Sequence, residues 1–172
     1  MEKLSKNLER IILIRHAETI DRAEFAKHSD NDLARPLNKK GKKQSKKIAK
    51  FLERLHKKSP ICVALISPAK RTIQTIKHFT KSHSNLCKKC ASIAPECGIE
   101  GYLKALRDES GAKTLALVGH QFDLGNFVQC ATGITQDLIV KKGTIIELVR
   151  KKGANEVRGG FIITTMIAPE YL

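Results

Sequence analysis

Short apolar runs alternating with helical patterning predict an α/β fold, a three-layer α/β/α sandwich built on a mostly parallel central sheet. Three observations carry that expectation. Residues 11–14 (IILI), 61–66 (ICVALI) and, after its first residue, 114–118 (TLALV) run apolar without alternation, as strands covered on both faces do. The stretches between them space apolar residues as one face of a helix does. Two late runs, 144–149 (TIIELV) and 161–168 (FIITTMIA), flank a turn around Lys151–Gly160 and read as a hairpin that breaks the alternation.

The elements follow in order. A first strand covers about 10–15, and a polar stretch of little periodicity, 18–38, follows it. Leu37-Asn38 before KKGKKQSKKIAKFLERLHKK reads as a helix cap and a helix, with Ile48, Phe51, Leu52 and Leu55 on one face. After the 61–66 strand, Pro68 stands near the start of a helix that buries Ile73, Ile76 and Phe79. A cysteine-bearing loop, about 83–97, leads to a helix with Ile99, Leu103 and Leu106 spaced for burial. Strand 114–118 stops at Gly119-His120, and a last helix from Gln121 is ended by Gly133.

The 172 residues suffice for one domain with a real core and are read as one, over 1–172. No run approaches the roughly 18 apolar residues of a membrane span. The N-terminal MEKLSKNLERIILI has acids and only a four-residue apolar run, unlike a secretory signal, so the expected address is cytoplasmic. A net charge of +15 favours anionic partners without choosing among nucleic acid, acidic protein and phosphorylated substrate. Five cysteines are an odd count for a disulfide framework. Cys87, Cys90 and Cys97 lack the fourth ligand of a structural zinc site, so no metal and no cofactor are expected.

Function is read at the strand ends. The first strand runs into Arg15-His16, the second into Ser67-Pro68 with Arg71 one helical turn later, and the third into Gly119-His120. Ligands of open α/β sheets collect beyond the carboxyl ends of the strands. If these strands are parallel neighbours, two arginines and two histidines converge, and glycine at 119 lets the chain turn sharply to bring His120 close. Guanidinium forks fit phosphate oxygens, and a neutral imidazole can attack phosphorus to give a phosphohistidine. The fixed cations would hold the equatorial oxygens during transfer, and water would then release phosphate.

RHAET, SPAKRTIQT and VGH resemble the signature blocks of the histidine phosphatase superfamily, which includes the phosphoglycerate mutases. RPLNKKG, PECGIEGYLKAL and KKGTIIELV look like the SixA-type phosphohistidine phosphatases, and the likeness spans about residues 10–170. It implies the histidine phosphatase (phosphoglycerate mutase-like) fold. It also implies His16 as the phosphorylated nucleophile, Arg15, Arg71 and His120 as the rest of the phosphate pocket, and Arg35 as a further arginine reaching it. The family's first block is usually Arg-His-Gly, whereas this chain has Ala17, whose Cβ requires the loop to avoid positive φ.

Ester hydrolysis by this route wants a carboxylic acid for the leaving alkoxide, and the candidates are Glu96, Glu100 and Glu18. Each also reads as an ordinary loop or first-turn carboxylate, and Glu18 could instead orient neighbouring basic residues. A phosphohistidine substrate relaxes the need, because its imidazole leaving group has a pKa near neutrality. The expected activity is therefore removal of phosphate from phosphohistidine on a signalling or phosphotransfer protein. A broad phosphomonoesterase or a mutase is the alternative, and an idle basic binding protein a third class. The run 39–47, KKGKKQSKK, holds six lysines. It reads first as a solvated face, second as a dock for an acidic partner such as a histidine phosphotransfer domain, and a distant third as a nucleic-acid surface.

Overall fold

The computed structural model describes residues 3–172. Its six strands form one sheet in the order β3-β2-β4-β1-β5-β6. β1 (Arg10–Arg15), β2 (Val63–Ile66), β3 (Cys87–Lys89) and β4 (Thr114–Gly119) are parallel. β5 (Ile145–Arg150) and β6 (Phe161–Ile167) run antiparallel as the expected hairpin. Helices α2 (Lys39–Lys58) and α3 (Lys70–Ser82) cover one face, where Ile48, Leu52, Ile76 and Phe79 meet Ile12, Ile14, Ala64 and Val118. Helices α4 (Gly98–Asp108) and α5 (Asp123–Thr132) cover the other, where Leu103, Leu106 and Phe127 meet Ile11, Leu13 and Leu117. That is why β1 and β4 are apolar without alternation: each residue of the strand has a helix layer above or below it. Edge strand β6 instead alternates exposed residues with buried or half-buried ones.

Each helix end has a local cause. Asn38 caps α2, accepting the Gly41 N–H at 2.8 Å. His56, Lys57 and Lys58 in the last turn suit the negative end of the helix dipole. Gly133 closes α5 in the left-handed conformation, φ 81°.

Two stretches hold more structure than their patterning suggests. The polar stretch 18–38 contains the short helix α1 (Arg22–Ala26) and a 3-10 turn, Asp32–Ala34. Both begin with side-chain caps, from Asp21 and Asn31, rather than with an apolar face. The cysteine loop contains β3, which lies at the sheet edge with two of its three residues exposed and so shows no apolar run. Cys87, Cys90 and Cys97 are free thiols.

The lysine run also differs from a uniformly solvated face. All six lysines are exposed, but Gly41, Gln44 and Ser45 among them are buried. Gly41 lies so close to the loop after β1 that a Cβ there would stand 1.9 Å from the Glu18 carbonyl oxygen. Gln44 Oε1 accepts the Glu18 N–H at 2.9 Å, and Asn38 Nδ2 donates to the Thr19 carbonyl at 2.9 Å. The start of α2 is thus a clamp on the loop that follows His16.

Candidate active site

The parallel register assembles the site. Arg15 pairs with Gly119 across β1 and β4, and Ile66 pairs with Val118 across β2 and β4. The next residues are therefore neighbours: His16 N–H bonds to the Gly119 carbonyl at 3.1 Å and Ser67 N–H to the Val118 carbonyl at 3.1 Å. The His16 and His120 ring centres lie 5.3 Å apart. A cleft of about 610 Å³ opens over them, lined by Arg15, His16, Arg35, Arg71, His120 and Lys142 among others.

His16 is prepared on one side. Its Nδ1 lies 2.9 Å from the Ala17 carbonyl, which can only accept, so the proton sits on Nδ1 and the lone pair on Nε2. Burial pushes its pKa down to about 3; the Ala17 bond opposes this, while Arg71, Arg15 and Lys142 add to it. The imidazole is neutral and nucleophilic at neutral pH. His120 is likewise pushed down to about 3 by burial and then by Arg71. Its Nε2 lies 2.7 Å from Ser67 Oγ. When that hydroxyl donates to Nε2, Nδ1 carries the proton.

The two arginines share a pattern. Arg15 donates through Nη1 to the Val140 carbonyl, and Arg71 through Nη1 to the Asp32 carbonyl. Arg15 Nε, Arg71 Nε and His120 Nδ1 are buried without a protein partner. Three orphaned donors in one cluster fit an anion with several acceptor oxygens. Burial lowers both arginine pKa values, opposed by Glu18 at Arg15 and by Asp32 at Arg71. Among the described residues no group of three or more His, Cys, Asp or Glu is placed to hold a metal ion.

The remaining candidates divide. Arg35 lines the cleft, but its Nε is spent on Asp32 at 2.8 Å and its Nη1 on Thr19 Oγ1 at 2.6 Å and the Ile20 carbonyl at 3.0 Å. Glu96 lines the cleft mouth at a positive φ of 67°, its N–H bonded to Asp123 Oδ2 at 2.9 Å. Glu100 is exposed on the first turn of α4 and takes no part in lining the cleft. Glu18 accepts from Lys142 at 3.0 Å, orienting a basic residue. Ala17 has no positive φ and donates its N–H to Thr75 Oγ1 at 2.9 Å. Gly119 serves packing rather than a sharp turn: it lies within β4 without positive φ, and a Cβ there would stand 2.0 Å from Tyr102 Oη.

Asp32, Gln44, Lys142 and Asp123 also support the cleft or its loops, outside the residues that the strand ends single out. Asp32 had a signal, three residues before Arg35, the spacing of a helical ion pair. Gln44 had one too, because stepping back from Ile48 along the buried face of α2 reaches Gln44, Ser45 and Gly41. Lys142 and Asp123 had none, since their partners are remote in sequence.

Residues 11–92 match the family model of the histidine phosphatase superfamily (branch 1). The chain has the histidine phosphatase fold. Among solved structures it is similar to the Agrobacterium tumefaciens protein assigned as a phosphohistidine phosphatase SixA, at TM-score 0.75 and 18% identity, covering 94% of this chain and 99% of that one. It is similar to the protein histidine phosphatase SixA complexed with tungstate, at TM-score 0.71 and 19% identity, covering 94% and 98%. It also resembles the alpha-ribazole phosphatase from Shigella flexneri, at TM-score 0.68 and 13% identity, covering 93% and 96%. Among curated proteins none matches by sequence. The names of these structures differ in the substrate they give, so the likeness fixes the architecture and leaves the substrate to the site. Among the described residues no helix is long and apolar enough to cross a membrane.

Proposed function

We propose that this histidine phosphatase removes the phosphoryl group from phosphohistidine on a protein partner through a phosphorylated His16. The observation that carries the reading is the state of His16: neutral, its Nδ1 proton held by the Ala17 carbonyl, and packed beside His120 and two half-committed arginines. His16 Nε2 forms a bond to phosphorus as the bond from phosphorus to the substrate's imidazole nitrogen breaks. The other nitrogen of the leaving ring titrates near neutrality; with a proton from solvent already on it, the phosphorylated nitrogen keeps the N–P electron pair and the ring departs as neutral imidazole without a dedicated acid. Arg15, Arg71 and His120 carry the charge of the equatorial oxygens. Water then attacks the phosphorus of phospho-His16, the N–P bond breaks, and inorganic phosphate and neutral His16 are regenerated.

The carboxylates support this order of substrates. Glu18 is engaged by Lys142 and Glu100 stands apart from the cleft, which leaves Glu96 at the mouth as the one notable candidate acid among the three. Glu96 favours a second reading, a phosphomonoesterase in which that carboxyl protonates the leaving alkoxide.

The test is phosphate release from a phosphohistidine-bearing phosphotransfer protein, beside a panel of phosphomonoesters, for wild type, His16→Ala and Glu96→Gln. Phosphohistidine turnover lost in His16→Ala and retained in Glu96→Gln supports the proposal. Strong ester turnover that depends on Glu96 supports the second reading.

A further inference from the structure

Asp32 belongs to the 3-10 turn after α1, in a stretch to which the patterning gave no task. Its carbonyl accepts from Arg71 Nη1 at 2.7 Å, and its Oδ2 lies 3.1 Å from the same nitrogen. Its Oδ1 accepts from Arg35 Nε at 2.8 Å, and Arg22 Nη2 stands 3.4 Å from Oδ2. Arg71 is thus gripped at one corner, and its Nε is buried with no partner. A guanidinium offers Nε and Nη2 as one edge with parallel N–H bonds, the edge that takes two oxygens of a phosphoryl group. Holding Nη1 leaves that edge free.

We propose that Asp32 is the positioning residue of the phosphoryl site, fixing Arg71 by Nη1 so that its Nε–Nη2 edge meets the phosphoryl oxygens. The inference rests on the phosphoryl-transfer reading of the cleft. Arg35 completes the device as a brace, because its bonds to Thr19 and Ile20 tie Asp32 to the loop after His16. A carboxylate beside a phosphate-binding arginine has an obvious opposite role, competition with phosphate for the guanidinium. The geometry argues against competition, since both Asp32 oxygens that reach Arg71 meet Nη1 and none meets Nε.

The experiment is a double-mutant cycle on the full chain with inorganic phosphate as the probe, read by calorimetry, alongside steady-state turnover. Asp32→Ala should weaken phosphate binding and lower kcat/KM by about tenfold. Both variants keep the main-chain carbonyl, and Asp32→Asn, which also keeps one side-chain acceptor, should recover part of the loss. In an Arg71→Lys background, where the fork is already gone, Asp32→Ala should have no further effect. A variant that keeps the wild-type thermal midpoint and shows this non-additivity acts through Arg71; a merely structural residue would cost the same in both backgrounds. Tighter or unchanged phosphate binding by Asp32→Ala, or additive effects, would overturn the inference. The two proposals fail differently. Phosphate binding that obeys the cycle with no turnover of any phosphorylated substrate removes the proposed function alone. Turnover indifferent to Asp32 removes the positioning role alone, and a wild type that neither binds phosphate nor turns over removes both.

Discussion

Two cationic regions flank the loop after β1, and they are built differently. In the cleft, Arg71, His16 and His120 are buried and Arg15 is half-buried, each held at one atom by a carbonyl or a hydroxyl. On α2, Lys39, Lys40, Lys42, Lys43, Lys46 and Lys47 all lie exposed, and among the described residues the one hydrogen bond made by their ammonium groups is from Lys47 to the Pro169 carbonyl at 3.2 Å. A solvated ammonium is screened and already satisfied by water, whereas a buried donor without a partner gains its full hydrogen-bond energy when an anion arrives. The difference teaches that the net charge of +15 locates nothing by itself. What makes a site is the removal of charge from water with one edge left open.

Substitutions in the two regions put this comparison at risk. The largest effect is expected from Arg71→Ala, which should lower kcat/KM by roughly 10²–10³, the scale of losing a transition-state donor. Lys42→Ala with Lys46→Ala should change it less than about threefold near physiological salt, where exposed charges are screened. Equal losses in steady-state assays would mean that burial does not set the cleft arginines apart from the α2 lysines.

Ser67→Ala comes next. It removes the hydroxyl 2.7 Å from His120 Nε2, and loss of ring alignment should lower kcat by about tenfold with little change in stability.

The buried side of the lysine run provides a sharper contrast. Gly41→Ala places a methyl against the Glu18 carbonyl and should destabilise by about 1–3 kcal/mol, lowering kcat as well by shifting the loop after His16. Its neighbour Lys42→Ala should stay within about 0.5 kcal/mol. Urea denaturation of the pair tests whether the run is a clamp with a solvated back.

A further effect is a slope against pH. Both cleft histidines have folded pKa values of about 3, below the ordinary 6.5. Between pH 6.5 and 3 the unfolded chain takes up protons that the folded protein excludes. Stability from each histidine is full above pH 6.5 and is lost as pH falls toward 3, by up to about 1.4 kcal/mol per pH unit. His16→Ala should flatten the fall in urea stability from pH 6.5 to 4, whereas Lys42→Ala should leave it unchanged.

How much of this was legible beforehand follows from the range of each interaction. The strands at 11–14 and 114–118 announced themselves because burial on both faces leaves an unbroken apolar run. Edge strand Cys87–Lys89 did not, because its pairing with β2 is mostly backbone hydrogen bonding and two of its three residues face solvent. Arg15, His16, Arg71 and His120 stood out because charged groups at the ends of apolar strands are costly to hide. Asp32 showed only its spacing to Arg35; its contact with Arg71 joins residues 39 apart and leaves no local pattern.

Local side-chain pattern is enough to set the alternation of strands and helices, the cap and buried face of α2, and the four cleft side chains that follow three strand ends. Those properties are written in side-chain chemistry and in periods of two and 3.6 residues, which act over one turn or one strand. Only the tertiary structure decided which edge of each guanidinium stays free, that Glu18 serves Lys142 while Glu100 stays outside, and that Gly41 and Gln44 clamp the loop after His16. These outcomes depend on sheet register and on partners far apart in the chain. A side chain's type states what it can bond to, and packing alone states what lies within reach.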